Sequence, residues 1–449
     1  MLWRFSKKFQ FAADKIIPDS FVFCIILTLI VFIMSLVMTG TGPLNLVISW
    51  YGGLWSMIGF AFQMAFMVIC CGAAAKAPQI EKLLRKIAQL SKSREIAMAI
   101  LIIFGIASSL INWAFSLILT PILAMQLSRY IKGLHFPLMI ATGYSAMLLG
   151  QCWSPSASVY ALVASKGHFL EESIGILTQA ETTFNPVNTI LFFVISIVTV
   201  LVGVMTKPPK DEVVMYVSDC ENDTEAVASE VEEAELTIAD RMNSSKLLML
   251  IIGIAGVAVI IDSFVKNGFI GSLNFNFVIF LFLTLNTFLY NTPRTFVTAF
   301  RESMKPATEV MMQFPFYGGI MGIMSGSGLT GIMADGLVRI ATAETLPVLS
   351  YISASIVNLF VPSQGGQWIV QGPILVEAAH SLNADMPTII NAFVYGDEAT
   401  NLIQPLYVIP ALSLVNMKLK DVWGFMAFIW FIWFVVTSIG LYVLPGLLL

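Results

Sequence analysis

The chain has 449 residues, 57% of them hydrophobic and only 12% charged, with a mean hydropathy of +0.83. That balance, with apolar runs of about 18 residues or more, excludes the ordinary soluble classes and fits a polytopic protein whose solvent is lipid. The formal charge of -4 hides a split: residues 211–240 carry eleven acids and no base, so the remainder is at +7.

The first apolar run, 21–39, follows an N-terminal amphipathic segment. It is too long for a secretory signal core and has no small-residue cleavage site after it, so it is expected to stay as the first span. Further apolar segments are expected at 55–75, 96–111, 113–130, 136–165 (interrupted at SPS) and 188–206. Residues 207–244 are acidic and weakly hydrophobic, as in a soluble linker. Apolar segments resume at 245–263, 272–291, 307–327, 344–360, 366–380, 386–413 and 421–446. Two stretches, 79–90 and 329–341, have helical periodicity but too much polarity to span, and are expected along the membrane interface.

Several features carry no chemistry. The cysteines Cys24, Cys70, Cys71, Cys152 and Cys220 form no CxxC, and no His lies near them at metal spacing. Gly318, Gly322 and Gly326, four residues apart, suit close helix packing. GSGLTG at 326–331 matches GxGxxG formally but follows an apolar helix rather than a strand, so no dinucleotide site is expected. His135, His168 and His380 all fall at segment ends. No metal and no cofactor is expected.

Basic residues set the orientation. With the N-terminus in the cytoplasm, only Lys166, Lys266 and Arg339 of the 24 Lys and Arg fall outside, which satisfies the rule that bases stay inside. The linker is then cytoplasmic.

The chain also matches itself at an offset of about 250. Phe62 and Gln63 meet Met312 and Gln313, Gly72 meets Gly322, and Pro137 and Pro155 meet Pro387 and Pro405. Small gaps align LTL at 27–29 with 283–285, and INW at 111–113 with VNL at 357–359. The segment 245–263 adds one crossing between the halves, so they start on opposite sides of the membrane. Inverted repeats of this kind are the mark of secondary transporters. The expected division is a first repeat at 1–206, the linker at 207–244, a connecting helix at 245–271 and a second, inverted repeat at 272–449.

Each half contains two polar breaks. SSLINWAFSLILTP, ending at Pro121, corresponds to SASIVNLFVPSQGGQWIVQGP, ending at Pro373, once six extra residues are allowed in the second. LGQCWSPSAS at 149–158 corresponds to DEATNLIQP at 397–405. Pro and Gly kink membrane helices for purely structural reasons, but four symmetric breaks are expected to converge on one site. Broken helices leave N–H groups unpaired, and their positive ends favour an anion. Asp397 and Glu398 lie about eleven residues into their span, near the bilayer centre at roughly 1.5 Å per residue. An intramembrane carboxylate is by default functional and partners a proton or cation. Thr400, Asn401 and Gln404 are placed to complete that site.

VPSQGGQWIVQGP at 361–373, INWAF at 111–115, YGDEATNLIQP at 395–405 and QFPFYGGI at 313–320 resemble the bacterial short-chain fatty acid transporter family, over nearly the whole chain except 208–245. The resemblance implies uptake of acetoacetate or butyrate and membership of the ion transporter superfamily, with elevator-type architecture and two helical hairpins. The chain departs from that pattern at Gln364, Ala114, Ser116, Gln151 and Pro155, where glycine is expected, and this bears on which acid is carried.

The expectation is therefore an all-α polytopic protein of the bacterial cytoplasmic membrane, built from two inverted repeats with paired hairpins or discontinuous helices. It would carry a small monocarboxylate by symport with a proton, with the net direction of flux left open. The anion would be held by Asn112, Ser116, Ser154, Ser156, Asn358, Ser363, Gln364, Gly365, Gly366, Gln367 and Gln371, with Trp113 and Trp368 walling the acyl chain. Asp397 and Glu398, with Thr400, Asn401 and Gln404, would bind the coupling ion. Sodium is the alternative ion, and an intramembrane enzyme or a channel are the rival functions; no HExxH or GxSxG supports an enzyme. No nucleic-acid partner is expected, and homo-oligomerisation is left open.

Overall fold

The computed structural model describes residues 20–207, 213–216, 237–359, 361, 363–404 and 407–448. The N-terminal amphipathic segment, most of the acidic linker with Cys220, and Phe360, Pro362, Pro405 and Leu406 lie outside these residues. Every regular element among the described residues is a helix.

The first half runs α1 (Ser20–Thr39), α2 (Pro43–Ser56), α3 (Ile58–Ala75), α4 (Pro78–Ala88), α5 (Arg94–Ile111), α6 (Trp113–Tyr130), α7 (Phe136–Gln151), α8 (Ser158–Val163), α9 (Glu171–Ile174) and α10 (Pro186–Met205). After the linker come α11 (Ile238–Asn243) and α12 (Lys246–Ser272), the latter kinked at Gly268, whose φ of 71° leaves the helical region. The second half runs α13 (Phe275–Leu289), α14 (Pro293–Glu302), α15 (Met304–Ser327), α16 (Leu329–Val338), α17 (Leu346–Asn358), α18 (Gln364–Leu382), α19 (Met386–Thr400), α20 (Ile409–Leu414) and α21 (Leu419–Leu448).

Local chemistry explains most helix starts. Proline stands in the first turn of α2, α4, α7, α10, α14, α17 and α19, where its missing N–H costs nothing. Ser93, Asn185, Asn274, Thr292 and Asp385 cap α5, α10, α13, α14 and α19 by accepting a first-turn N–H, and Thr237 with Asp240 closes a capping box at α11. Besides the short α9 and α11, two longer helices are absent from the hydropathy pattern. In α2, Asn45 and two glycines dilute the apolar residues, and α14 is amphipathic with two arginines and a glutamate.

Among the described residues, α3, α5, α10, the helical stretch containing α12 and α21 are long and apolar enough to cross a membrane, and α12 is the most outward-facing of them. The packing repeats itself between the halves. α5 lies on α7 as α17 lies on α19, α3 on α6 as α15 on α18, and α4 on α6 as α16 on α18. The short helices cross over: α8 packs on α18, and α20 on α6. Pro137 and Pro387 open the corresponding helices α7 and α19.

The glycine stripe on α15 serves packing. A Cβ added at Gly53 of α2 would meet the Gly318 carbonyl oxygen at 2.2 Å, and one at Gly322 would meet the Ser49 carbonyl oxygen at 2.3 Å. Only glycine permits that approach. Gly328 of GSGLTG stands between α15 and α16 at φ 77°. Cys24, Cys70, Cys71 and Cys152 are free and buried.

Candidate functional site

The first hairpin turns at one residue. Asn112 ends α5 and caps α6, with φ -165° and ψ 137°; its Oδ1 accepts from the Ala114 and Phe115 amides at 2.8 and 3.3 Å. Its Nδ2 meets only a weak acceptor, Met67 Sδ at 3.0 Å. The neighbouring Trp113 has a buried Nε1–H without a partner among the described residues, and its ring meets Tyr407 at 6.0 Å. Ser116 lies deeper between the arms, hydrogen-bonded to Ser108 Oγ at 2.8 Å and donating to the Gly105 carbonyl at 3.0 Å. It ties α5 to α6. Ser154 Oγ donates to the Leu110 carbonyl at 3.0 Å and pairs with Ser156 Oγ at 3.0 Å, so the second break of this half holds the tip of the first.

The second hairpin turns between Asn358, at the end of α17, and Ser363, the cap of α18, whose Oγ accepts from the Gly366 amide at 3.4 Å. Asn358 is buried, and its Nδ2 donates towards the Asp397 carbonyl at 2.7 Å, Asn401 Oδ1 at 2.8 Å and Thr400 Oγ1 at 3.0 Å. These three acceptors assign the nitrogen and leave Asn358 Oδ1 without a partner among the described residues. Gln367 Nε2 donates to the Ala354 carbonyl and to Gln371 Oε1, each at 2.9 Å, and Gln371 Nε2 donates to Ser353 Oγ at 2.9 Å. Like Ser116, these side chains clamp two hairpin arms together. Gly365 and Gly366 lie against Phe314 and Tyr317. Trp368 is fully buried against Phe393, with its Nε1–H unpartnered.

Asp397 and Glu398 sit in the last turn of α19, and both are buried. Asp397 Oδ2 accepts from Asn401 Nδ2 at 3.2 Å, while Oδ1 is buried without a partner among the described residues. Glu398 is satisfied on both sides: Oε1 accepts from Gln364 Nε2 and Oε2 from Gln151 Nε2, each at 3.0 Å. Gln404 Nε2 donates to Asn401 Oδ1 at 3.2 Å. Among the described residues no Lys, Arg or His forms an ion pair with either acid.

The four breaks therefore meet, and the links between halves run both ways. Gln364 of the second hairpin accepts the Val159 amide of α8 through Oε1 at 3.1 Å. Tyr144 of α7 donates to the Asn401 carbonyl at 3.1 Å, and Tyr160 of α8 donates to Asn391 Oδ1 at 2.7 Å. Asn358, Gln364, Asp397, Glu398, Thr400, Asn401 and Gln404 form one hydrogen-bonded cluster. Trp113 reaches it through Tyr407, whose ring meets Tyr144 in turn, and Ser116 through a cavity of about 10 Å³, room for one water, which Ser116, Thr120 and Tyr144 line together. Asn112 borders it as the chain neighbour of Trp113, its side chain bonding to Met67, Ala114 and Phe115.

Tyr144, Tyr160, Asn391 and Tyr407 were not among the expected site residues, and Gln151 stood out only as a departure from the family pattern. A signal existed. Tyr144 precedes Gln151 by seven residues and Asn391 precedes Glu398 by seven, two helical turns along one face of an otherwise apolar helix.

The family model described as short chain fatty acid transporter matches residues 1–444. A protein of Escherichia coli whose name carries the words short-chain fatty acid transporter is 29% identical over 432 residues, covering 95% of this chain and 96% of that protein. A Haemophilus influenzae protein with the same words in its name is 30% identical over 460 residues, covering 99% of this chain and all of that protein. In three dimensions the chain is similar to the YdaH transporter of Alcanivorax borkumensis, with a TM-score of 0.63 and 14% identity over 96% of this chain and 99% of that one; at that identity the likeness speaks for the fold alone. On the match along nearly its entire length, the chain belongs to the short-chain fatty acid transporter family.

Proposed function

We infer that the protein is a secondary active carrier of short-chain monocarboxylates of the acetoacetate and butyrate class, driven by protons, in the bacterial cytoplasmic membrane with its N-terminus inside. The observation that carries this is the buried Asp397–Glu398 pair at the meeting point of the four breaks, without a basic partner among the described residues. A carboxylate in low dielectric is costly to keep unless donors satisfy its oxygens or a proton or cation visits it, and two adjacent ones need the second.

The polar atoms left unpartnered divide the site. At the first tip they are donors, Trp113 Nε1 and the thinly engaged Asn112 Nδ2, fit to take the substrate carboxylate. Around the second tip they are mainly oxygens, those of Asp397, Asn358 and Gln367, with the Trp368 indole as the exception. Each buried, unpaired polar atom costs about 1–3 kcal/mol, so a bound anion and a bound proton or cation would together relieve that cost. Each changes the charge of one small volume, which couples their binding. The repeated packing of the halves supports an inverted repeat, and an elevator-like movement of the two hairpins with α7 and α19 would carry the site across.

Sodium coupling is the second reading, favoured by the unpartnered oxygens Asn358 Oδ1 and Asp397 Oδ1, the ligand type that hard cations take. Uptake of labelled butyrate into proteoliposomes under separately imposed proton and sodium gradients decides between them. Accumulation is expected with the proton gradient alone; accumulation that needs sodium at fixed pH overturns proton coupling and leaves the carrier assignment standing.

A further inference from the structure

We propose that the two adjacent acids have separate roles: Glu398 is a fixed, positioning carboxylate that brackets the two halves, and Asp397 is the group that exchanges the proton. This rests on the proton-coupled reading above and assigns its chemistry to one residue.

The assignment comes from which side of each amide faces which atom. At ordinary precision the nitrogen and oxygen of a Gln side chain are interchangeable until a partner of known polarity fixes them. Gln364 has such a partner. The Val159 backbone N–H can only donate, and it points at Gln364 Oε1 at 3.1 Å; the other end of Gln364, facing Glu398 Oε1 at 3.0 Å, is therefore the donating Nε2. Gln151 presents its Nε2 to Glu398 Oε2 at 3.0 Å and to Met147 Sδ at 3.6 Å. Turning Gln151 over would set an oxygen against that sulfur, which accepts but does not donate. Both oxygens of Glu398 thus receive hydrogen bonds, the pattern of a carboxylate, and a proton on either would face a donor.

Asp397 has the opposite pattern. Its Oδ2 receives Asn401 Nδ2, while Oδ1, although buried, receives no hydrogen bond from the described residues. A proton on Oδ1 turns an acceptor without a donor into a donor. Asn358, whose Nδ2 already reaches the Asp397 carbonyl at 2.7 Å, carries an acceptor oxygen that also lacks a partner. Two neighbouring carboxyl groups in one dry site do not both ionise, so at most one of the pair is charged at a time; the two donors on Glu398 and the open Oδ1 of Asp397 assign the charge to the first and the exchangeable proton to the second.

The bracket has a mechanical consequence. Through Gln151 of α7, Glu398 of α19, Gln364 of α18 and the Val159 amide of α8, one unbroken line of hydrogen bonds ties the second hairpin to the first half. Glu398 holds the hairpin in register while Asp397 loads and unloads beside it.

The test compares Asp397→Asn, Glu398→Gln and the exchange Glu398→Gln with Gln151→Glu, measuring melting temperature in detergent and gradient-driven uptake of labelled butyrate against pH. In Glu398→Gln an amide N–H faces a Gln N–H, so the melting temperature is expected to fall. The exchange restores one donor to each acceptor, because the new amide at position 398 accepts from Gln364 and donates to the new carboxylate at position 151; it should regain most of that loss, with slower uptake that still rises with the imposed proton gradient. Asp397→Asn should lose the gradient-driven component while keeping labelled-for-unlabelled exchange and its fold. If Asp397→Asn keeps gradient-driven uptake with the wild-type pH profile while the exchanged pair loses it, the roles are reversed and the proposal fails. If the exchange recovers no melting temperature, the bracket fails. A wild-type protein indifferent to the proton gradient overturns the coupling reading and the role of Asp397 together, and is thereby told apart from either result.

Discussion

Gln364 shows how much a single side chain settles in this molecule. It starts α18, takes the Val159 amide from the other half and gives its own N–H to a buried glutamate. Replacing it by alanine leaves a buried amide N–H and a carboxylate oxygen without partners. The cost is expected at about 2–5 kcal/mol, the scale of breaking one side of a buried charged pair, and the purified Gln364→Ala variant should melt well below the wild type. A melting temperature within a degree or so of wild type would mean that Val159 and Glu398 are otherwise satisfied. The sequence alone made Asp397 and Glu398 visible, because charge near the middle of an apolar segment needs no fold to be noticed. It did not show that Ser116, Gln367 and Gln371 bond across two hairpin arms, because that role is visible only once partners are seen; Gln367 Oε1 is still open to a ligand.

At the scale of elements, α7 and α19 carry polar atoms into the centre beside the hairpin helices α17 and α18, and α7 is tethered at its start. For α7 the tether is a piece of the linker. Val214 donates its amide to His135 Nδ1 at 3.0 Å, the Phe136 amide donates to the Val214 carbonyl at 2.8 Å, and the Phe136 and Tyr216 rings meet at 4.8 Å. Burial and then the nearby Arg94 guanidinium hold the His135 imidazole below its ordinary value of 6.5. Only the neutral ring can accept through Nδ1. With a depressed value in the folded protein, the stabilisation is complete above the ordinary value and is lost as pH falls through the folded one. Amide exchange at Val214, corrected for its intrinsic rate, should lose protection between pH 7 and about pH 5 in the wild type. Equal protection at both ends of that range would show that the segment is held by something other than this bond. Helix starts coincide with proline or a cap at most elements, but α2 and α14 were not legible although Pro43 and Pro293 stand in their first turns: α2 lies between two longer apolar runs and is broken by Asn45 and two glycines, α14 carries charges, and tertiary packing is what makes them helices.

For the whole molecule, the repeat was readable as a weak offset of about 250 residues, and the structure shows what that offset stands for: the same helix contacts made twice, with short helices α8 and α20 crossing to the opposite hairpin. How the four breaks meet was not readable, because it depends on contacts more than 200 positions apart, such as Gln151 with Glu398 and Tyr160 with Asn391. The orientation rests on the distribution of bases and has its own consequence. In a cysteine-free background, Lys166→Cys should react with a membrane-impermeant maleimide in intact cells and Lys92→Cys only after permeabilisation; the reverse pattern would invert the topology. The central claim, that this architecture moves a short monocarboxylate by a carrier cycle, is tested most directly by counterflow. Proteoliposomes preloaded with unlabelled butyrate and diluted into a trace of labelled butyrate should show a transient, saturable accumulation of label that protein-free liposomes, and proteoliposomes preloaded with an unrelated anion, do not. Label that enters without saturating, or no faster than through protein-free lipid, would contradict the account.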